Sequence, residues 1–199
     1  MSGPSSPDFA RVQKISGLCA VICGLAAIAQ PVSVALTWAF ESPTPSAHVL
    51  NGFSSSFDAG MRHLGDPAWI FPGGIRPWQR FNGAVVSVLT SLILSYGLLR
   101  ARSALLALAR GDFFVSAVGA GLRDYAAALF WTLVAGVIEQ PVLSVAVTVA
   151  NPPGHRELIL GLHWTDGDFF RLMGAGITWV IAAALVRASA IAREKEQFV

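Results

Sequence analysis

Four stretches of this chain are each apolar over about the length that a helix needs to cross a lipid bilayer. They run over residues 15–40, 81–99, 125–149 and 169–186. A helix rises ~1.5 Å per residue and the hydrocarbon layer is ~30 Å thick, so about 20 mostly apolar residues suffice. Hydrophobic residues make up 54% of the 199 positions and charged residues only 13%, which is too little charge for an ordinary aqueous surface. The sequence therefore predicts an all-α transmembrane four-helix bundle, folded as a single membrane domain over residues 1–199.

The positions of the basic residues predict which way the spans point, because Lys and Arg near span ends resist translocation. Most of the 14 basic residues fall in the N-terminus, the loop between the second and third spans, and the tail. These are Arg11, Lys14, Arg100, Arg102, Arg110, Arg123, Arg187, Arg193 and Lys195. The opposite side holds Arg62, Arg76, Arg80, Arg156 and Arg171. Both termini are therefore predicted to be cytoplasmic.

A second interpretation of the N-terminus stays open at this point. Arg11 and Lys14, followed by an apolar stretch and the small residues around Ala29, imitate a cleavable signal peptide. The apolar run does not stop there but continues to Trp38, as a retained anchor would. The sequence favours the anchor.

The loops between the spans are predicted to carry short helices. Apolar residues at helical spacing between Ala47 and Leu64 predict an interfacial helix in the long outer loop. On the cytoplasmic side, the second span is expected to continue until Gly111 breaks the helix, and a further helix to begin near Ser116. Several tryptophans fall near the predicted outer interface, where indole rings prefer to lie. They are Trp38, Trp69, Trp78 and Trp164.

A tripeptide, Gln-Pro-Val, occurs in both the first and the third span, at residues 30–32 and 140–142. Pro31 and Pro141 each remove one backbone hydrogen bond, so helix kinks are predicted at the same depth in the two spans. Parallel two-span halves would explain the match, in the manner of repeats in transporters.

Glu139 is the residue that most calls for an explanation, because it lies about midway through the third span. A carboxylate there costs at least ~2.5 kcal/mol even on the lenient insertion scale. One hypothesis is a proton-binding or substrate-contacting carboxyl group in an intramembrane polar cluster. Its other members would be Gln30, Gln140, Thr90 and Ser91. The competing hypothesis is structural: a neutral Glu139 bonded to carbonyls that the prolines free, or a tilted span in which it reaches headgroups.

No pattern in the sequence predicts catalysis, a metal site or a cofactor. The chain has no HExxH, no paired CxxC, no P-loop and no dinucleotide-binding glycine pattern. Its four histidines fall in outer loops without ligand spacing, and Cys19 and Cys23 lie one helical turn apart inside the first span, as packing groups do. A net charge of +2 is too small for direct nucleic-acid binding. The protein is predicted not to be an enzyme.

Four short stretches resemble a known family of bacterial membrane proteins, domain of unknown function 2975. The resemblance rests on Leu98–Arg102, Ala109–Ser116, Gly121–Arg123 and Ala192–Val199. It covers most of the chain from about Trp78 onward. It implies four spans in a bacterial inner membrane, no catalytic residues and, in many bacteria, a small helix-turn-helix regulator encoded nearby.

The leading hypothesis is a non-enzymatic regulatory or accessory partner of another protein, such as a helix-turn-helix transcription regulator. Its cytoplasmic partner surface would consist of Arg100, Arg102, Arg110, Arg123, Arg193 and Lys195. One alternative is a small dimeric transporter or proton-coupled permeation unit that uses Glu139. Another is an accessory subunit of a larger membrane complex. The expected partners are the lipid bilayer, another protein and, as an option, further copies of the chain.

Overall fold

The computed structural model describes residues 7–40, 75–112, 116–154, 156 and 166–197. In these ranges the chain forms four α-helices: α1, Pro7–Phe40; α2, Pro77–Ala109; α3, Ser116–Thr148; and α4, Asp166–Gln197. They contain 34, 33, 33 and 32 residues, or about 50 Å of helix each. Each is long and apolar enough to cross a membrane. The prediction of an all-α protein with four span-like helices is confirmed, while the orientation of the termini stays a prediction.

The helices are longer than the predicted spans. α2 continues ten residues past position 99 to Ala109, and α3 already begins at Ser116. α2 thus ends just before Gly111, as the sequence predicts, and the helix expected to begin near Ser116 is continuous with α3 rather than separate from it. Both segments are helical throughout. The physical reason is their composition: they are rich in Ala and Leu and contain no Pro to interrupt the backbone hydrogen bonds. The interfacial helix predicted between Ala47 and Leu64 lies outside the described residues.

The N-terminus of α2 combines two signals of helix initiation. Pro77 occupies the first helical position, where the missing N–H group has no helical acceptor to lose. The side-chain Oε1 of Gln79 accepts a hydrogen bond from the backbone N–H of Arg76 at 2.8 Å. A third-position side chain reaching back in this way is half of a capping box. These contacts fix where α2 starts.

The C-terminus of α2 is closed by Gly111, as the sequence predicts. Gly111 has a φ of 90°, a left-handed conformation that favours glycine. Its N–H donates to the carbonyl of Leu108 at 3.0 Å, and the N–H of Asp112 donates to the carbonyl of Ala107 at 3.0 Å. This pair of bonds is a Schellman motif, which satisfies carbonyls left over at the helix end.

The two prolines inside helices do not end them: α1 continues through Pro31 and α3 through Pro141. In both cases a serine follows within three residues. The hydroxyl of Ser33 donates to the carbonyl of Gln30 at 2.8 Å, and that of Ser144 donates to the carbonyl of Pro141 at 2.8 Å. Serine back-bonding of this kind supplies local hydrogen bonds next to the position where proline removes one.

Large apolar side chains point outward from the described helices, and small ones point inward. Leu25, Ile28 and Phe81 are 64%, 66% and 69% exposed, whereas buried positions are dominated by Ala and Ser. A soluble protein rarely exposes so much contiguous apolar surface. Membrane helices show this arrangement, since lipid solvates the large side chains and small residues let helices approach closely.

Contacts divide the chain into two compact units. Unit 1 comprises Met1–Ile28, Leu94–Trp131 and Asp166–Val199, and unit 2 comprises Ala29–Ile93 and Thr132–Thr165. Helices α1, α2 and α3 contribute residues to both, and α4 contributes to unit 1 alone.

Unit 1 is held together by close backbone approach. A Cβ atom at Gly97 of α2 would overlap the Cβ of Ala128 on α3, and one at Gly121 would lie 2.8 Å from the carbonyl oxygen of Arg100. Glycine at these positions lets α2 and α3 pack nearly backbone to backbone.

Unit 2 contains a small apolar core around an indole ring. Trp38, 1% exposed, packs with Leu143 and Val147. Gly83 of α2 leaves room for the ring, because a Cβ there would overlap it. Trp38, expected from the sequence to face the headgroups, is thus an interior residue of this unit, where an indole needs both an apolar contact and a hydrogen-bond partner.

Candidate functional site

Glu139 of α3 lies against α2 inside unit 2. Its carboxyl group lies close to the side-chain hydroxyl groups of Ser87 and Thr90. These two residues are three positions apart on α2 and therefore share one face of that helix. A carboxylate only accepts hydrogen bonds, and two hydroxyl groups are suitable donors to it. The contact joins the third span to the second through polar side chains.

Ser87 links this carboxyl group to α1. The indole Nε1–H of Trp38 donates a hydrogen bond to the hydroxyl oxygen of Ser87 at 3.3 Å. Since this oxygen accepts from Trp38, the Ser87 hydrogen is available to Glu139. The hydroxyl of Thr90 donates to the carbonyl of Val86 at 3.3 Å on its own helix, so its oxygen is the atom free to interact with a protonated Glu139. Polar side chains of α1, α2 and α3 therefore lie next to one another here, with Ser87 between Trp38 and Glu139.

One oxygen of Glu139 is left over. Oε1 is buried and has no hydrogen-bond partner among the described residues. Leaving a buried polar atom unpaired costs about 1–3 kcal/mol, and more for a charged group. Such an atom can take a proton or accept from a small donor.

The structure brings together only part of the predicted polar cluster. Of its predicted members, Thr90 lies beside Glu139. The hydroxyl of Ser91 instead donates to the carbonyl of Val88 on its own helix at 2.7 Å. Gln30 and Gln140 are half-buried. No hydrogen bond of either amide side chain is present within the described ranges.

Ser87 was not predicted, although the sequence contains a signal for it. Small or polar residues recur at every fourth position of α2, and all are buried. They are Gln79, Gly83, Ser87, Ser91 and Ser95. A four-residue spacing places side chains along one ridge of a helix, so an otherwise apolar span with such a stripe turns it toward other helices.

The first turns of α2 cap the C-terminal end of α3, a role that was not predicted either. Gln79, 1% exposed, donates from Nε2 to the carbonyl of Val147 at 2.9 Å and to Oδ1 of Asn151 at 3.2 Å. Asn82 donates from Nδ2 to the carbonyl of Ala146 at 3.1 Å. Carbonyls in a last helical turn lack intrahelical donors, so these amides satisfy groups that would otherwise be unpaired in an apolar setting.

Arg80 performs the same role for α1. Its Nη1 donates to the carbonyls of Trp38 and Ala39 at 3.1 and 3.2 Å. A cation at a helix C-terminus also interacts favourably with the helix dipole. The sequence indicated Arg80 only as an outer-side charge, because nothing local shows which helix end a side chain will meet.

In unit 1, the predicted partner surface is partly an internal contact. Arg100 contacts Oδ2 of Asp124 through Nη2 at 2.7 Å and through Nε at 2.8 Å. This ion pair connects α2 to α3. Arg100 is therefore committed to a contact within the chain.

The other described members of that surface are exposed. Arg102 lies with its stem beside Gly24 of α1, and Arg110 and Arg123 extend outward. Further exposed basic side chains of unit 1 are Arg11, Lys14 and Arg187. The side chains of Arg193 and Lys195, also predicted, lie outside the described residues.

Metal-ligating groups do not cluster in the described ranges. No set of three or more His, Cys, Asp or Glu is close enough there to hold a metal ion. Cys19 and Cys23 are free and half-buried. All four histidines lie outside the described residues.

In comparisons with known proteins, the chain matches no family model, no curated protein and no solved structure. The resemblance to domain of unknown function 2975 therefore stays a prediction, and the functional argument rests on the chain's own residues.

Proposed function

We propose that this protein is a non-enzymatic, multi-pass component of a bacterial inner membrane, with cytoplasmic termini, that acts as a regulatory or accessory partner of another protein. The observation that carries the proposal is the set of exposed, unpaired arginines of unit 1. Arg102, Arg110 and Arg123 are exposed, and within the described ranges none of them has an acidic partner.

The surroundings of these arginines support a protein-binding role. Of the acidic side chains described in unit 1, Asp124 and Asp168 are engaged in ion pairs, and only Asp112 and Glu194 are exposed. Among the described residues, the exposed charge of the unit is therefore mainly basic. A basic surface favours an acidic surface on a soluble partner, since complementary charge steers association and raises its rate. The resemblance to a family with regulators encoded nearby points the same way.

The first test is site-specific photo-crosslinking in the native host. A photoreactive amino acid replaces Arg110 or Arg123, and Arg76, an exposed arginine of unit 2, is the matched control position. We expect the same soluble protein to be linked from positions 110 and 123 and not from position 76. Links only to lipid, or only to other copies of the chain, would contradict the proposal.

The second test measures binding of that protein to the purified chain in lipid nanodiscs. Arg110→Glu combined with Arg123→Glu is expected to weaken binding by tenfold or more, and binding should weaken as salt rises. Arg76→Glu should leave binding unchanged. If the double variant and the parent protein bind with equal affinity, the basic surface is not the binding site for the partner.

A further inference from the structure

We propose that Glu139, Ser87 and Thr90 form a proton-binding site inside unit 2, where Glu139 takes up and releases a proton in the folded protein. The geometry has two parts. The hydroxyl groups of Ser87 and Thr90 lie beside the carboxyl group, and Oε1 is buried without a partner among the described residues. One side of the carboxyl group is thus next to hydroxyl groups, and the oxygen on the other side is buried and unpaired among the described residues.

The site has too few side-chain oxygen atoms to bind a divalent metal ion, but enough to bind a proton. Ca²⁺ and Mg²⁺ require about six or more oxygen ligands. The three side chains supply fewer, and the Ser87 oxygen already accepts a hydrogen bond from Trp38. A proton needs only one free carboxyl oxygen, which is what Oε1 offers.

The charged groups around the site also favour a proton. Residues 29–40 of α1 contain no titratable side chain, residues 77–93 of α2 contain only Arg80, and residues 132–148 of α3 contain only Glu139. Arg80 bonds to the C-terminal carbonyls of α1, and it precedes Ser87 by seven residues, or about 10 Å along the helix. Arg76 and Arg156, the other described charges of unit 2, are exposed beyond the helix ends.

Glu139 differs in this respect from Asp124 of α3 and Asp168 of α4. Asp124 is paired with Arg100 and Asp168 with Arg171. In the described part of the chain Glu139 has no such counter-ion. Placing an unpaired charge in an apolar segment costs free energy. Without a counter-ion, Glu139 can avoid this cost by binding a proton.

Proton binding at Glu139 is expected to change the hydrogen bond between the Trp38 indole and Ser87. An ionised carboxylate accepts the Ser87 hydrogen, whereas a protonated carboxyl group can itself donate, and Ser87 then has to reorient. The Ser87 oxygen is the acceptor for the Trp38 indole N–H. The state of Glu139 is therefore transmitted to α1 through one hydroxyl group.

Infrared difference spectroscopy of the whole protein in nanodiscs tests this proposal directly. Spectra are compared between acidic and alkaline buffer, and the carbonyl stretching band of a protonated carboxyl group is followed. We expect a band that Glu139→Gln removes and that Glu194→Gln, the matched change of an exposed carboxyl group on α4, leaves in place. If Glu139→Gln removes no band, the proposal fails.

A second variant keeps the carboxyl group and probes its surroundings. Ser87→Ala should retain the band but shift its frequency, because a hydroxyl group beside the carboxyl group is lost. In parallel, the indole N–H resonance of Trp38, assigned with Trp38→Phe, should move over the same pH range as the band. An unshifted band in Ser87→Ala, or a band abolished by exchanging choline chloride for sodium chloride at fixed pH, would overturn the assignment of this site to a proton.

Discussion

Unit 1 and unit 2 handle polar groups in opposite ways. Unit 2 keeps them inside: Gln79 and Ser87 are buried, and their hydrogen bonds connect different helices. Unit 1 presents charge outward, and its best-defined polar contact, Arg100 with Asp124, is about half exposed on the arginine side. The close packing of unit 1 comes instead from glycine and alanine at the contact of α2 with α3.

The two units thus illustrate two different ways in which membrane helices can be held together. Close backbone approach gains dispersion contacts without any polar group, whereas buried hydrogen bonds add the requirement that each donor meets its acceptor. Each unit has one buried side-chain atom that lacks a partner among the described residues, Ser95 Oγ in unit 1 and Glu139 Oε1 in unit 2. Only the second belongs to an ionisable group, which is why the candidate site lies in unit 2.

The largest expected effects concern the glycines at helix contacts. Gly97→Ala and Gly83→Ala should each lower the free energy of unfolding by about 1–3 kcal/mol, because the added methyl group overlaps a neighbour. Gly97→Ala should be the more damaging. Its neighbour is the Cβ of Ala128, which cannot rotate away, whereas the neighbour of Gly83 is the Trp38 ring. Unfolding by SDS in mixed micelles measures both.

Gly136→Ala is the matched control for this pair. A Cβ at Gly136 would meet no atom within 4 Å, so this change should be neutral or stabilising by up to about 1 kcal/mol through helix propensity. A loss at Gly136 equal to the loss at Gly97 would show that helix contacts are not what distinguishes these glycines.

The next effect concerns the buried amides of unit 2. Gln79→Leu leaves the carbonyl of Val147 without its 2.9 Å donor and should destabilise by about 1–3 kcal/mol. Gln140→Leu makes the same change of residue type at a half-buried position of α3 and should be neutral. The same SDS titration compares the two variants. Equal losses would mean that the amide hydrogen bonds do not hold unit 2 together.

The helices could be predicted from the sequence because their signal is carried by each segment alone. Length, apolar content and the breaker Gly111 are all local properties, and the four helices and the end of α2 followed from them. What the sequence did not show is that the helix beginning at Ser116 and the third span are one continuous helix. Helix geometry continues into the Ala- and Leu-rich flanks regardless of where lipid stops.

The candidate site was predictable only in its centre. A carboxyl group in an apolar span has an unfavourable insertion free energy whatever its neighbours are. Glu139 could therefore be chosen as a candidate residue from the sequence alone. Which neighbours it meets depends on the rotation of α2 about its own axis. That rotation brought Ser87 and Thr90 to it and turned Ser91 to a backbone carbonyl. The capping contacts of Gln79 and Arg80 likewise depend on residues that are 41 to 72 positions away in sequence.

The smallest expected effect tests whether the ion pair of unit 1 resembles the buried contacts of unit 2. A double-mutant cycle with Arg100→Gln and Asp124→Asn should give a coupling free energy of about 0.2–1 kcal/mol that falls as salt rises, because the Arg100 side chain is 43% exposed and water screens the pair. Arg171→Gln with Asp168→Asn, a pair of similar exposure within α4, is the matched cycle and should give a similar value. A salt-independent coupling well above 1 kcal/mol for Arg100 and Asp124 would mean that this contact is shielded from water. Unit 1 would then depend on an interior polar contact as unit 2 does, and the contrast between the two units would no longer hold.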